Sequence, residues 1–216
     1  MVAQQSGADT PTGIVGVAFV GPEGAPEAVV EVTMAHAAKR NALSEELLAG
    51  LTEQIDRAAE SGVRALILRA EPGVSTWSAG YAIDALPVDG SDPLTWANPL
   101  EGFLHRLRRA PFPVIAAVEG GVWGGACELV LTCDLIVAVR TSTFAITPAR
   151  LGVPYNTSGV NHVLSALPLN MAKELFFTAD PMSADEWASF GAVNRLVADA
   201  DELTETSRQL GRRIAS

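Results

Sequence analysis

Cysteine is almost missing from this 216-residue chain. Cys127 and Cys133 are the only two, six positions apart, with no CxxC or CxxH beside them. Neither a disulfide scaffold nor a zinc site is expected from that pattern, and two free thiols suit a reducing cytoplasm. Histidine is equally sparse: His36, His105 and His162 are scattered, so no metal cluster is expected and none of the three is given a catalytic role. A GxSxG elbow is also missing, which disfavours a Ser-His-Asp hydrolase. Positive charge is in deficit, with 15 Lys and Arg against 25 Asp and Glu, a net charge of -10. That balance argues against a nucleic-acid partner and supplies no basic patch for a membrane surface. No apolar run is long enough to cross a bilayer. Residues 1–12 lack the basic and apolar blocks of a signal peptide and are expected to be a disordered leader. Repeats, linkers and low-complexity blocks are missing too. What remains is a chain with 48% hydrophobic and 19% charged residues, suited to one domain with a sizeable core.

One stretch organises the rest: Glu119-Gly-Gly-Val-Trp-Gly-Gly-Ala-Cys-Glu128, preceded by the apolar run Val114-Ile-Ala-Ala-Val118. It reads as a buried strand, a glycine turn and the start of a helix. Glycine lets the backbone turn tightly and approach a ligand closely. The first N–H groups of a helix lack internal partners, and the dipole there favours negative charge, so an oxyanion or a phosphate fits. The turn has neither the Lys-Ser/Thr of a P-loop nor GxGxxG spacing. A plain packing turn is the competing reading. Glu128 speaks against it, because an acid among Cys127, Leu129, Val130 and Leu131 is costly to bury.

Elsewhere, strands alternate with helices. Gly13–Val20 and Ala28–Met34 read as a hairpin, and Ser44 starts a helix that runs to Ser61. Arg64–Arg69, Val114–Val118, Asp134–Val139, Thr143–Ile146 and Val193–Val197 read as further strands. Helices are expected at Leu100–Arg109, Gly159–Leu167, Asn170–Thr178, Ala184–Phe190 and Asp201–Ile214. Trp77–Asp84 reads as a glycine-containing turn, while Pro87–Asn98 and Thr147–Asn156 read as loops. Such alternation predicts a parallel α/β architecture. Two turns, Ser78-Ala-Gly-Tyr81 and Trp123-Gly-Gly-Ala126, free backbone N–H groups after a strand. If they meet, the amides of Tyr81 and Gly125 form an oxyanion hole.

These pieces resemble the crotonase, or enoyl-CoA hydratase/isomerase, superfamily. The matching segments are Lys39-Arg-Asn-Ala-Leu-Ser44, Trp77-Ser-Ala-Gly-Tyr81, Ile115-Ala-Ala-Val-Glu-Gly120, Gly124-Gly-Ala-Cys-Glu-Leu129, Cys133-Asp-Leu135 and Phe144-Ala-Ile-Thr-Pro148. They stand in family order from about Gly13 onward. The resemblance implies an α/β spiral of ββα units with a shortened C-terminal helical part: a core over residues 13–200 and the start of a C-terminal helical region at 201–216. It also implies an acyl-CoA thioester substrate, coenzyme A being part of that substrate rather than a cofactor. A homotrimer or dimer of trimers is implied, and an enolate held by the Tyr81 and Gly125 amides. The substrate-binding positions carried over are Lys39, Arg40, Ala42, Ser78, Ala79, Ile83, Trp123, Gly124, Pro148 and Leu151. Trp123 is expected as a wall of the pocket.

Within the superfamily, the chain is most similar to decarboxylases of short malonyl-type CoA thioesters. Leu86-Pro87, Asp92-Pro-Leu94, Asn98-Pro-Leu100 and the run Thr141–Asn156 carry that likeness. It implies that Thr147 and Tyr155 stand near the departing carboxylate. Family hydratases use two glutamates around one water. The first corresponds to Glu128, but Ala149 occupies the place of the second, so paired acid/base work on water lacks a partner. The expected activity is decarboxylation of methylmalonyl-CoA to propionyl-CoA. An enoyl-CoA isomerase or hydratase using Glu128 alone and a non-catalytic acyl-CoA binder are the alternatives. Two plainer roles stay open: Tyr155 as a turn residue after Pro154, and Thr147 bonded to local backbone.

Overall fold

The computed structural model describes residues 15–20, 28–82 and 98–216. The expected leader, the turn at Gly21–Gly24, Ile83, and the Leu86-Pro87 and Asp92–Leu94 segments lie outside the described residues.

Strand β1 (Val15–Val20) pairs antiparallel with β2 (Val29–Met34), Val15 facing Met34 and Val20 facing Val29. The hairpin read from the sequence is thus present at its two strands. From β2 onward the sheet is parallel through β3 (Ala65–Ala70), β5 (Val114–Val118), β7 (Leu135–Val139) and β10 (Arg195–Val197). Every residue of β3 and β5 is buried. Their unbroken apolar runs belong to strands covered on both faces. A second sheet has the order β4 (Thr76–Ser78), β6 (Gly121–Trp123), β8 (Thr143–Ala145) and β9 (Met182–Ser183).

Helices occupy the spaces between. Ser44 caps α1 (Glu45–Glu60), its side chain accepting from the Leu47 amide at 3.3 Å. Asn98 caps α2 (Pro99–Arg108), with proline in the first turn where its missing N–H costs nothing. Next come α3 (Gly125–Thr132), α4 (Pro148–Leu151), α5 (Thr157–Ala166), α6 (Leu169–Thr178), α7 (Ala184–Ser189) and α8 (Ala200–Ala215). Three successive units repeat one pattern: β3–β4–α2, β5–β6–α3 and β7–β8–α4. The first strand of each joins the larger sheet and the second joins the smaller one. This is the ββα spiral.

The larger core cluster fills the space between the sheets and α1, α2, α3 and α5. It includes fully buried Trp77 and the stacked pair Phe144 and Trp187, 3.9 Å between ring centres. The other face of the larger sheet is covered by α8 through Leu203 and Leu210. Under that helix Glu31 accepts from Arg208 at 3.0 Å and from Arg69 at 3.4 Å, so the buried acid and the buried Arg69 compensate one another.

Three local expectations need correction. Trp77 belongs to a strand, β4, rather than to a turn. Gly121–Trp123, expected within the glycine turn, is strand β6. Both have only three residues, too few to show a period-2 pattern, and they exist because each pairs in parallel with a neighbour. The Thr147–Asn156 loop contains a turn of helix, α4, begun by Pro148.

Candidate functional site

The two glycine turns converge. Gly80 has φ +84°, and a Cβ built there would lie 2.3 Å from the Trp123 carbonyl oxygen and 3.2 Å from the Gly125 nitrogen. Only glycine permits that approach in that backbone region. In the other direction, a Cβ on Gly125 would stand 3.5 Å from the Tyr81 nitrogen. The amides that precede them are taken. Ala79 N donates to Arg40 O at 2.8 Å, Gly80 N to Ser78 Oγ at 3.2 Å, and Gly124 N to Ala145 O at 2.8 Å. The Tyr81 and Gly125 amides have no acceptor among the described residues. Gly125 also opens α3, so the helix dipole adds to the field at this point.

The Tyr81 side of the pair is held by a clamp that sequence reasoning overlooked. Asn41, buried and left-handed at φ 47°, donates from Nδ2 to Trp77 O at 3.0 Å and accepts from Ser78 Oγ on its own carbonyl at 2.7 Å. Leu43 N donates to Gly80 O at 2.8 Å. The Lys39–Leu43 segment is thus bonded to the strand end that presents Tyr81.

A cleft of about 690 Å³, counted out to its open mouth, spreads from the two amides. Leu100, Pro148, Leu151, Val153 and Pro154 make it largely apolar, and Tyr81, Thr147, Tyr155 and Glu128 are its convergent polar groups. Thr147 makes no side-chain cap bond to α4, and its Oγ1 would be 3.4 Å from a Cβ on Gly124. Tyr155 packs edge-on against Phe176 at 5.2 Å. Its hydroxyl is buried and has no hydrogen-bond partner among the described residues. The Glu128 carboxylate comes near enough for each group to affect the other's ionisation, but their geometry falls short of a hydrogen bond. Burial holds the Tyr155 phenol neutral, well above its ordinary range.

Glu128 lies on α3 at 1% exposure. Burial pushes its carboxyl up to about 7, Glu101 adds to the shift, and Arg108 and Tyr155 oppose it. His162 on α5 contacts it, Nδ1 to Oε1 at 2.8 Å. Neither His162 nor Glu101 was anticipated. Glu101, on α2, is held by Asn156 Nδ2 at 2.8 Å and Ser158 Oγ at 2.7 Å. Gly159 makes this layer possible: a Cβ there would meet Tyr155 Cε1 at 2.4 Å and Glu128 Oε2 at 2.6 Å.

A stability effect follows from the raised carboxyl. Between its ordinary value of 4.5 and about 7, folded Glu128 keeps a proton that the unfolded chain releases. Stability therefore falls as pH rises through that window. Glu128→Gln is expected to remove the slope, so that the stability difference between about pH 5 and pH 8 shrinks by at most about 3 kcal/mol. Denaturant unfolding of both proteins at the two pH values checks it, and parallel slopes would refute it.

Of the positions derived from the sequence, Tyr81, Gly125, Glu128, Thr147, Tyr155, Ala79, Gly124, Pro148 and Leu151 line one cleft. Ser78 is buried beneath it, bonded to Asn41. Lys39 and Arg40 are exposed on the clamp, beside half-buried Ala42. Trp123, expected as a pocket wall, does not line the cleft. Its indole lies over Gly121, where a Cβ would meet the ring at 2.5 Å, and its carbonyl is what approaches Gly80. Ala149 is exposed next to Pro148 and does not line the cleft. Among the described residues no group of three or more His, Cys, Asp or Glu can hold a metal, and no helix is long and apolar enough to cross a membrane.

Residues 24–216 match the family model described as Enoyl-CoA hydratase/isomerase. Methylmalonyl-CoA decarboxylase from Escherichia coli is 38% identical over 82% of this chain and 67% of its own length. The human mitochondrial enoyl-CoA hydratase domain-containing protein 3 is 32% identical over 88% of this chain and 62% of its own. The chain thus spans about two thirds of these relatives. A solved methylmalonyl CoA decarboxylase complexed with 2S-carboxypropyl CoA superposes with a TM-score of 0.89 at 34% identity, over 95% of this chain and 76% of that one. With its ββα spiral and two convergent glycine turns, the chain belongs to the enoyl-CoA hydratase/isomerase family, the crotonase superfamily.

Proposed function

We propose that this protein decarboxylates a short malonyl-type acyl-CoA thioester, methylmalonyl-CoA first. The observation that carries the reading is a neutral, buried Tyr155 hydroxyl, unpartnered among the described residues, in the same apolar cleft as two amides with no acceptor there. The Tyr81 and Gly125 amides receive the thioester oxygen. Tyr155 and Thr147 orient the substrate carboxylate out of the thioester plane. The bond between the α-carbon and the carboxylate then breaks, CO2 departs, and the electron pair passes into an enolate whose oxygen the amides stabilise. An apolar wall favours losing the charged carboxylate as neutral CO2. The α-carbon takes up a proton to give propionyl-CoA. The relative named methylmalonyl-CoA decarboxylase supports this choice within the family. Exposed Lys39 and Arg40 stand on the segment that would meet the CoA portion.

Hydration or isomerisation of an enoyl-CoA is the second reading. Glu128, pushed up to about 7, is poised for acid/base work near neutral pH. Purified protein incubated with methylmalonyl-CoA, crotonyl-CoA and a 3-enoyl-CoA decides between the two. The expected product is propionyl-CoA from the first. Rapid consumption of crotonyl-CoA with methylmalonyl-CoA left intact would overturn the proposal.

Ala149→Glu adds a carboxylate on α4 next to the cleft. It is expected to raise crotonyl-CoA hydration above the wild-type background. It is also expected to slow decarboxylation severalfold, because a new anion repels the substrate carboxylate. Wild-type and variant rates on both substrates measure this, and unchanged decarboxylation would place residue 149 too far from the carboxylate to matter.

A further inference from the structure

Glu128 and His162 come from helices that meet behind the cleft, and their contact of 2.8 Å joins Oε1 to Nδ1. The acid side chain is 1% exposed and the histidine side chain 24%. Arg108 Nη1 lies against the same ring, in contact with Nε2 and 3.3 Å from Nδ1. An ionised carboxylate can only accept, so against the Glu128 anion the Nδ1 position carries the ring proton and donates to Oε1. Burial and then the Arg108 charge lower the histidine's basicity, with Glu101 opposing them, and this favours the neutral ring. With Oε1 engaged as an acceptor, a proton on Glu128 is directed to Oε2. That oxygen lies against Gly159 together with the edge of the Tyr155 ring, since a Cβ on Gly159 would be 2.6 Å from Oε2 and 2.4 Å from Tyr155 Cε1.

We propose that His162 is a positioning residue for Glu128: its Nδ1–H holds Oε1, so that the exchangeable proton sits on Oε2 and passes from there to the enolate carbon. The proposal rests on the decarboxylation reading. Loss of CO2 leaves an enolate. Its α-carbon takes the proton from Oε2, and the electron pair on the enolate oxygen rebuilds the thioester carbonyl. Glu128 is left as a carboxylate stabilised by the His162 N–H, and solvent returns its proton. The other groups facing this pair are accounted for. From α2, Glu101 favours the protonated acid and Arg108 the anion. Glu101 is itself held by Asn156 and Ser158. Tyr155 and Cys127 are kept neutral by burial.

The deciding measurement needs no substrate: a carbon-13 NMR titration of the Glu128 carboxyl in the full chain, wild type, His162→Phe and His162→Gln. Phenylalanine removes the donor and destabilises the anion, so the midpoint is expected to rise by about one pH unit. Glutamine can donate to Oε1 and is expected to restore the midpoint. Matching thermal unfolding of the three chains checks that each is folded. On methylmalonyl-CoA, the alkaline limb of kcat is expected to move up with the NMR midpoint in His162→Phe, with KM unchanged. An identical midpoint in all three chains overturns the proposal, as does an equal shift in both variants. A limb that stays put while the midpoint moves refutes proton donation by Glu128. If the midpoint moves as expected but wild-type protein releases no CO2, the link between His162 and Glu128 stands and the decarboxylase reading fails.

Discussion

Gly125→Pro is expected to lower turnover of any thioester substrate by about a hundred- to a thousandfold, the usual cost of one oxyanion-hole donor. Proline removes the N–H, and the first helical turn tolerates its ring. Gly125 opens α3, so the backbone can accept the change. The added Cβ is the complication, because it would lie 2.8 Å from Leu100 Cδ2. That atom is the end of a flexible side chain and can move. Gly125→Ala carries the same Cβ and keeps the donor, so the difference between the alanine and proline variants isolates the hydrogen bond. Steady-state kcat/KM for both, with unfolding curves to establish that each is folded, is the measurement. Equal losses in the two would assign the effect to crowding of Leu100 and Tyr81 and remove the amide from the mechanism.

Tyr155→Phe is expected to slow decarboxylation by about ten- to a hundredfold, the scale of one well-placed hydrogen bond. A phenol suits the task better than a cation. Arg or Lys would stabilise the substrate carboxylate strongly in the ground state, and that stabilisation is surrendered as CO2 leaves. A neutral donor orients the group and binds its charge only modestly. The environment of Tyr155 sharpens the expectation. Its hydroxyl is buried without a hydrogen-bond partner among the described residues, so deleting it breaks no hydrogen bond there. Folding stability should stay level or rise while activity falls, an outcome that a structural hydroxyl would not produce. Affinity for propionyl-CoA, which has no carboxylate to orient, should hardly change. Equal losses in decarboxylation and in propionyl-CoA affinity would make Tyr155 a packing residue.

The two variants probe groups whose visibility in the sequence differs. Local chemistry made the framework legible. The apolar runs of β3 and β5 are continuous because both faces of those strands are covered, and Ser44 with two following acids marks the start of α1. The glycine turn before Glu128 marked a helix start with a free amide, and the Ala-Gly pair before Tyr81 a second one. Each signal lies within a few residues, where backbone sterics and unpaired helix amides act directly on the sequence. Strands β4 and β6 were hidden because three residues carry no periodicity and their order comes from the neighbouring strand. Asn41, Glu101, Gly159 and His162 were hidden for a related reason. Asn41 matters because Trp77 and Ser78 come to it. Gly159 matters because α5 packs against α3 more closely than a methyl group would allow. His162, given no catalytic role from the sequence, meets the groups its proposed role needs only where Arg108 and Glu128 close on its ring from two other helices. The sequence alone determined which backbone groups would be left free. Tertiary packing decided where they point, which acid is dry enough to hold a proton near neutral pH, and what stands beside it. Those properties depend on desolvation and on contacts between residues far apart in the chain, and neither is a property of any short stretch of it.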